Sequence, residues 1–283
     1  MVDEKYINGT YFKRYSQPEN KHLLFLLTGQ SISPRGFWDF ILPDGKTHSE
    51  YFVEAGIDVI LFDPIGYGKS TEFYQYDRLG YSNQIKQVTD TITKKYDSKT
   101  VLGYSSSSPV ALCSAQDKFF NKIILIGPNI LNKTEDGYVP VMEKFETNLE
   151  TLKQKRLKEV SEKIIPKSNR LPGWEESLLE IIKTNTSYDG TNWSVPGEIV
   201  NDRINYWITH KSNGFKVENI SLVKPILAII SEYEVETPIS SQGLFLSMFP
   251  DTIIAEIPNS THFSMWENEC AVTRNFIIEY CKE

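Results

Sequence analysis

Short apolar runs alternate along most of the chain with segments in which apolar residues recur at helical spacing. The apolar runs are HLLFLLTG, IDVILFDP, KTVLGY, KIILIGP, PILAIIS and DTIIAEIP. Continuous runs of about four to eight apolar residues, rich in β-branched side chains, are typical of strands buried on both faces, as in a parallel sheet. The segment YINGTYFKRY precedes them and predicts a hairpin, because Asn8-Gly9 favours a two-residue turn.

The segments between the apolar runs predict helices. In GYSNQIKQVTDTITKKY, the residues Ile85, Val88 and Ile92 lie on one face of a helix. The chain ends in ECAVTRNFIIEYCKE, where Val272, Phe276 and Tyr280 predict a second apolar stripe. Strands that alternate with helices form βαβ units, so we predict an α/β fold with a helix-covered, mostly parallel sheet.

One region interrupts this alternation. Between about residues 131 and 223 there is no comparable strand run, and the stretch NLETLKQKRLKEVSEKII is charged and helix-prone. Pro, Gly and Trp interrupt the same region at LPGWEES and GTNWSVPGE. We therefore predict an α/β core formed by residues 1–130 and 223–283, with residues 131–222 inserted as a helical cap, or lid.

Composition and charge narrow the class of partner. The 283-residue chain has a net charge of −7, with 40% hydrophobic and 24% charged residues, as in ordinary globular proteins. Nucleic acids and anionic membranes need clustered Lys and Arg, so neither is expected as a partner. The N-terminus lacks the basic and apolar segments of a signal peptide, and no apolar run approaches the roughly 18 residues that cross a bilayer. Cys113, Cys270 and Cys281 show no metal-ligand spacing, so we expect free thiols and a cytoplasmic location.

The stretch VLGYSSSSPVAL places four serines between a predicted strand and a predicted helix. A serine nucleophile at such a turn follows the pattern G-x-S-x-G, because the strained turn needs small residues on either side. With Ser105 as the nucleophile the flanking positions are Gly103 and Ser107, which are both small. With Ser106 the preceding position would be Tyr104, which should clash. We therefore predict Ser105 as the nucleophile, with the backbone N–H of Ser106 facing the oxyanion.

A serine nucleophile needs a base, and the base needs a carboxylate to orient it. Of the four histidines in the chain, His262 follows the last predicted strand, at the sheet edge where reactive groups of open α/β sheets gather. The preceding strand ends at Glu232, Glu234 and Glu236, and each of these carboxylates could orient His262. The resulting chain order is Ser, Glu, His, which is the order of an α/β-hydrolase triad.

Together these motifs resemble the α/β-hydrolase superfamily, in its capped group of esterases, C–C hydrolases and peptidases. The resemblance covers nearly the whole chain and rests on LLTG followed by Gln30, DPIGYGKS, GYSSS, ISEYEVETP and STHF. It implies a mostly parallel eight-stranded sheet flanked by helices, with the cap inserted after the sixth strand.

The resemblance also assigns site residues. When the acid loop is aligned on Pro238, the family's aspartate position is Glu234; Glu236 and Glu232 remain alternatives, as does an acid after the preceding strand, around residues 129–136. The oxyanion loop, which usually begins His-Gly, reads Thr28-Gly29 here. By this alignment the second oxyanion donor is the backbone N–H of Gln30, with Ser31 as the adjacent alternative.

The expected activity is that of a serine hydrolase that cleaves a small-molecule carboxylic ester through an acyl-enzyme, using Ser105, His262 and Glu234. Such chemistry requires no metal and no organic cofactor, and the expected partner is a small-molecule ester or lactone. Lactonase and C–C or amide hydrolase activities on the same triad are alternatives. A non-catalytic ligand-binding protein on the same fold is an alternative of a different class. The sequence does not choose a substrate or an oligomeric state.

Overall fold

The computed structural model of the chain describes residues 1–28, 37–63, 69–70, 78–128, 171–172, 187–188, 193–194, 224–234, 245 and 247–283. Eight of its strands form one sheet. Their bounds are β1 Val2–Ile7, β2 Thr10–Tyr15, β3 His22–Leu26, β4 Ile57–Phe62, β5 Ser98–Tyr104, β6 Lys122–Ile126, β9 Ile226–Tyr233 and β10 Ile253–Thr261. The remaining two, β7 Ser187–Tyr188 and β8 Trp193–Ser194, pair with each other as a separate antiparallel ladder.

The large sheet has the strand order β1-β2-β4-β3-β5-β6-β9-β10. Strand β2 pairs antiparallel with β1 and with β4, and every other neighbouring pair is parallel. The predicted hairpin turn joins β1 to β2, with Asn8 at φ 46° and Gly9 at φ 77°. Positive φ at both central residues is what a two-residue hairpin turn of this class requires. The predicted eight-stranded, mostly parallel sheet is therefore confirmed.

Helices cover both faces of the sheet. They are α1 His48–Glu54, α2 Arg78–Asp90, α3 Ser108–Ser114 and α4 Cys270–Lys282. The central strands are buried on both sides, so alternate residues enter different clusters: Leu24 and Leu26 pack with α1 and α4, whereas Leu23 and Phe25 pack with α2 and α3. Burial on both faces explains why these strands read as continuous apolar runs rather than as alternating patterns.

The two predicted helices are present, but the end of the first and the buried face of the second differ from the prediction. In α2, Ile85 and Val88 are buried as predicted, but the helix ends at Asp90, before Ile92. In α4, Tyr280 is buried, whereas Val272 and Phe276 are only partly buried at the margin of the core. The most buried face of α4 also includes Thr273 and Arg274, which the apolar pattern cannot reveal because these residues are polar.

The predicted cap, residues 131–222, lies almost entirely outside the described residues and stays a prediction. Within it the structure describes Leu171 and Pro172 and the β7–β8 ladder. The N–H of Leu171 donates to the carbonyl of Trp266 at 3.1 Å, which links this residue to the loop after β10. Among the described residues, no helix combines the length and apolar character needed to cross a bilayer.

Candidate active site

The predicted nucleophile, acid and base each follow directly after a strand of the large sheet. Ser105 follows β5, Glu234 follows β9 and His262 follows β10. Strands β5, β6, β9 and β10 are neighbours in this order and run parallel, so their carboxyl ends meet at one edge of the sheet. All three residues therefore lie at the edge where α/β sheets bind their ligands.

Ser105 sits in a strained turn between β5 and α3. Its φ is 53°, in the left-handed region that non-glycine residues rarely adopt. A Cβ added to Gly103 would lie 2.8 Å from the Cβ of Ala111 and 3.0 Å from the carbonyl oxygen of Ser107, so this position has no room for a side chain. Backbone strain of this kind costs about 1–3 kcal/mol and clusters at functional sites.

The other serines of the turn hold its shape. The Ser107 hydroxyl accepts a hydrogen bond from the Tyr104 N–H at 2.8 Å and donates one to the Tyr104 carbonyl at 2.9 Å. The Ser108 hydroxyl donates to the Ser105 carbonyl at 2.7 Å, and the Ser108 N–H donates to the same oxygen. The sequence predicted Ser107 only as a small stand-in for glycine and gave Ser108 no part, so the structure adds a hydrogen-bonding role for both.

His262 and Glu234 form a buried hydrogen-bonded pair. The Nδ1 atom of His262 lies 2.9 Å from each carboxylate oxygen of Glu234. The side chains of the two residues are only 5% and 4% exposed. An ionised carboxylate can only accept, so this contact places a proton on Nδ1. In the neutral imidazole the lone pair is then on Nε2, as a general base requires.

Gly127, directly after β6, lies beneath this pair. It adopts φ 51°, and a Cβ added there would lie 2.8 Å from Nδ1 of His262 and 2.9 Å from Oε2 of Glu234. Real Cβ atoms do not approach other atoms so closely, so any side chain at this position would push His262 and Glu234 apart. The N–H of Gly127 donates to the Ile229 carbonyl at 2.9 Å, which fixes the glycine to β9.

Tyr104, the residue before Ser105, reaches across to the histidine loop. Its hydroxyl donates to the main-chain carbonyl of His262. The rings of Tyr104 and His262 meet edge to face with centroids 5.4 Å apart, and the ring centroid of Phe37 lies 4.9 Å from that of Tyr104. The turn that carries Ser105 and the loop that carries His262 are therefore joined by one side chain.

A second carboxylate, Glu267, is buried in the histidine loop. Its Oε2 accepts the Thr261 N–H at 2.8 Å and its Oε1 accepts the Thr261 hydroxyl at 2.6 Å. Glu267 has no solvent-exposed surface. This burial raises the pKa of Glu267, whereas the hydrogen bonds from Thr261 act in the opposite direction.

The structure describes only two of the remaining predicted site residues, Glu232 and Ser106. Glu232 is exposed, and its carboxylate accepts the Asn259 N–H at 2.9 Å, not a proton of His262. Ser106 lies in the 3-10 turn Ser105–Ser107 that leads into α3. Gln30, Ser31, Glu236 and the alternative acid segment 129–136 lie outside the described residues.

Three residues of the site were not singled out from the sequence: Tyr104, Gly127 and Glu267. Gly127 carries the one usable signal, a glycine that ends the apolar run KIILI. The contact of Tyr104 depends on how separate loops meet, and the contacts of Glu267 depend on how one loop folds back on itself. No local pattern reveals either. In the part of the chain that the structure covers, no group of three or more His, Cys, Asp or Glu is arranged to hold a metal ion.

Solved structures with similar folds were found, whereas no protein-family model and no curated protein matches the chain. The thioesterase domain from the curacin biosynthetic pathway has a TM-score of 0.68, with 15% identity over 98% of this chain and 99% of that chain. Bromoperoxidase from Bacillus anthracis has a TM-score of 0.67, with 18% identity over 100% of each chain. The α/β hydrolase GrgF from Penicillium sp. has a TM-score of 0.62, with 15% identity over 100% of this chain and 97% of that chain. The chain therefore has the same fold as these solved structures, the α/β-hydrolase fold.

Proposed function

We propose that the chain is a serine hydrolase that cleaves a small-molecule carboxylic ester through an acyl-enzyme intermediate. The observation that carries the proposal is the left-handed conformation of Ser105 at the sheet edge that also carries the His262–Glu234 pair. A strained serine turn and a histidine with a fixed tautomer are the two elements that nucleophilic acyl transfer requires.

In the proposed reaction, Nε2 of His262 takes the hydroxyl proton of Ser105 as Oγ attacks the carbonyl carbon of the ester. The negative charge on the former carbonyl oxygen is stabilised by backbone N–H groups, for which we propose Ser106 and Gln30. The imidazolium then protonates the leaving alcohol, and the acyl group stays on Ser105. A water molecule, deprotonated by His262, attacks the acyl-enzyme and releases the carboxylic acid and the free serine.

Glu234 has two roles in this scheme. Its hydrogen bonds from Nδ1 hold the imidazole in the tautomer that accepts a proton on Nε2, and its negative charge stabilises the imidazolium that follows. Of the three glutamates in this loop, Glu232 is turned to solvent and hydrogen-bonded to Asn259. This geometry favours Glu234 over Glu232 as the acid.

The ester class rests on the nucleophile and on the likeness to known folds. A serine forms an acyl ester that water hydrolyses, and one similar structure is a thioesterase domain, whereas another is a bromoperoxidase. These structures are too distant in sequence to choose a substrate. A lactone is a cyclic ester and would follow the same steps, so lactonase is the nearest variant of the proposal.

A fluorophosphonate probe with mass-spectrometric mapping tests the proposal, because the probe labels only an activated serine. We expect labelling at Ser105 that disappears in Ser105→Ala. Glu234→Gln should slow labelling by about a thousandfold or more, by analogy with the loss of the orienting carboxylate in other triads. The matched variant Glu232→Gln should label at the rate of the unmodified protein.

Substrate assays complete the test. Hydrolysis of short p-nitrophenyl esters, compared with ring opening of acyl lactones, separates esterase from lactonase. If the folded protein neither labels nor hydrolyses any of these compounds, the hydrolase proposal is wrong and the non-catalytic ligand-binding alternative stands.

A further inference from the structure

The loop after β10 is closed by the side chain of Glu267. Both carboxylate oxygens of Glu267 bond to Thr261, the last residue of β10, and the intervening residues include His262 and the 3-10 turn Ser264–Trp266. The Trp266 N–H donates to the Phe263 carbonyl at 2.7 Å, so the loop is also tied within itself. His262 is thus the first residue inside a short closed loop.

Burying a carboxylate without exposure to water is costly unless its oxygens are hydrogen-bonded. Here Thr261, the residue before His262, supplies a donor to each carboxylate oxygen of Glu267. Its N–H bonds to Oε2 and its hydroxyl bonds to Oε1. Hydrogen bonds to a charged acceptor contribute about 1.5–3 kcal/mol each, more than bonds between neutral groups. The two contacts together therefore fix the backbone at Thr261.

We propose that Glu267 is a positioning residue for His262, acting through Thr261 so that Nδ1 meets the carboxylate of Glu234. Glu267 fixes the main chain on the N-terminal side of His262, and the Tyr104 hydroxyl fixes the His262 carbonyl on the other side. With its main chain held on both sides, the imidazole needs little reorganisation to reach Glu234. The catalytic part of this inference rests on the proposed function, but the geometric part does not.

Positioning matters for rate because a displacement of about 1 Å in a reacting group can cost a hundredfold. Glu267 touches no reacting atom in the proposed reaction, so its loss should alter the placement of His262 and leave the substrate-binding surface unchanged. In kinetic terms, kcat should fall while KM stays the same.

The test uses three variants of the full chain and one control. Glu267→Ala removes both acceptors, and Thr261→Val removes the hydroxyl, which donates to Glu267 and also accepts the Phe263 N–H at 3.3 Å. Glu267→Gln keeps both contacts in a neutral form, because an amide oxygen can accept the Thr261 N–H and an amide N–H can donate to the Thr261 hydroxyl. Glu269→Ala is the matched control, since the Glu269 side chain makes no capping hydrogen bond at the start of α4.

Two readouts do not depend on activity. The first is the imidazole Nδ1–H proton of His262 in the ¹H NMR spectrum, which a carboxylate partner shifts far downfield. The second is hydrogen exchange of the Thr261 amide. In Glu267→Ala we expect the downfield signal to broaden or disappear and the Thr261 amide to exchange about tenfold to a hundredfold faster, the factor that loss of one such bond implies.

Thr261→Val should weaken the downfield signal in the same direction, and Glu267→Gln and Glu269→Ala should keep it. In the labelling assay, Glu267→Ala and Thr261→Val should react about tenfold more slowly, with Glu267→Gln close to the unmodified protein. Should Glu267→Ala fail to fold, Thr261→Val and Glu267→Gln decide the question by the His262 signal.

The inference is overturned if folded Glu267→Ala keeps the His262 signal and the slow Thr261 exchange, or, where that variant does not fold, if Thr261→Val keeps the full His262 signal. It is also overturned if Glu267→Gln behaves like Glu267→Ala, since the negative charge and not the two contacts would then matter. A protein that shows the expected NMR changes but never labels at Ser105 would retain this positioning role and lose the hydrolase function.

Discussion

The Tyr104 hydroxyl donates a hydrogen bond to the main-chain carbonyl of His262, so the residue before the proposed nucleophile holds the residue proposed as its base. Tyr104 is 3% exposed and lies at the end of β5, while His262 follows β10, three strands away in the sheet. In the sheet, β6 and β9 lie between the strands that precede these two loops. The hydrogen bond from Tyr104 joins the two loops directly.

Replacing Tyr104 by Phe keeps the ring packing and removes this bond. We expect the free energy of unfolding to fall by about 1–3 kcal/mol, because the buried His262 carbonyl loses a donor. Fluorophosphonate labelling of Ser105 should slow by about tenfold, which corresponds to about 1.4 kcal/mol of activation free energy. Urea denaturation and labelling kinetics measure the two effects.

Tyr96→Phe is the matched control. Its hydroxyl donates to the buried carboxylate of Asp58 at 2.6 Å, near the start of β4 and away from the candidate site. This variant should lose stability without any change in labelling rate. If Ser105 is labelled at the same rate in Tyr104→Phe and Tyr96→Phe, the Tyr104 bond contributes to stability and not to the reactivity of Ser105.

Replacing Gly127 by Ala should separate His262 from Glu234, because the new Cβ would lie 2.8 Å from Nδ1 and 2.9 Å from Oε2. Labelling should fall by about a hundredfold or more, as expected for a displaced catalytic group. Gly56→Ala provides the control: Gly56 also has a positive φ, of 89°, but a Cβ there meets nothing within 4 Å. Gly56→Ala should cost about 1 kcal/mol of stability and leave labelling intact, and an active Gly127→Ala would contradict the described geometry.

The strain at Ser105 predicts an unusual ranking of two inactive variants. Ser105→Gly and Ser105→Ala both remove Oγ, but only glycine adopts φ 53° without penalty. We expect Ser105→Gly to be more stable than Ser105→Ala by about 1 kcal/mol in thermal or urea denaturation. At Ser108, where φ is −54° within the helical region, the ranking should reverse and Ala should exceed Gly by about 1 kcal/mol.

The buried His48 predicts how stability depends on pH. Its Nε2 bonds to the Met265 carbonyl at 3.0 Å and its Nδ1 faces the Arg274 guanidinium at 3.2 Å. Burial, with Arg274 as the second cause, lowers the pKa of His48 from 6.5 to about 3. Below pH 6.5 the unfolded chain gains a proton on His48 that the folded chain does not, so stability falls as the pH decreases from 6.5 towards 3.

The slope from this one group reaches about 1.4 kcal/mol per pH unit. His48→Gln removes the titrating group and should flatten the profile by this amount between pH 6 and pH 4, whatever its own stability at pH 7. Urea denaturation of both proteins across this range gives the difference in slope. Parallel profiles would mean that His48 is protonated in the folded protein or solvated in it.

Much of the sheet could be predicted from the sequence because its strands are buried on both faces. Burial of this kind leaves continuous apolar runs such as IDVILF and KIILI, which are hard to mistake for loops. The hairpin at Asn8-Gly9 was predictable because few residues accept positive φ. The buried face of α4 was predicted less well, since it includes the polar residues Thr273 and Arg274, which apolar spacing does not register.

Some residues of the candidate site could likewise be predicted from the sequence, whereas others could not. Ser105 and His262 could be proposed from local rules, because a nucleophile turn needs small neighbours and the base follows a late strand. The choice of Glu234 over Glu232 needed an alignment, and its contact with His262 is seen only in three dimensions. Tyr104 and Gly127 meet loops that are distant in the sequence, and Glu267 meets Thr261 through the fold of one loop. Of the three, only Gly127 carries a signal in the sequence, as the glycine that ends the run KIILI.

Ser107 occupies the place where the usual pattern has a second glycine, and its hydroxyl both accepts from and donates to the backbone of Tyr104. A glycine here would make the sequence match the pattern better and would leave the turn with two fewer hydrogen bonds. In this chain, a residue that matches the motif less well therefore gives the turn more hydrogen bonds. A motif search that requires the second glycine would miss this turn, which the Ser107 side chain stabilises.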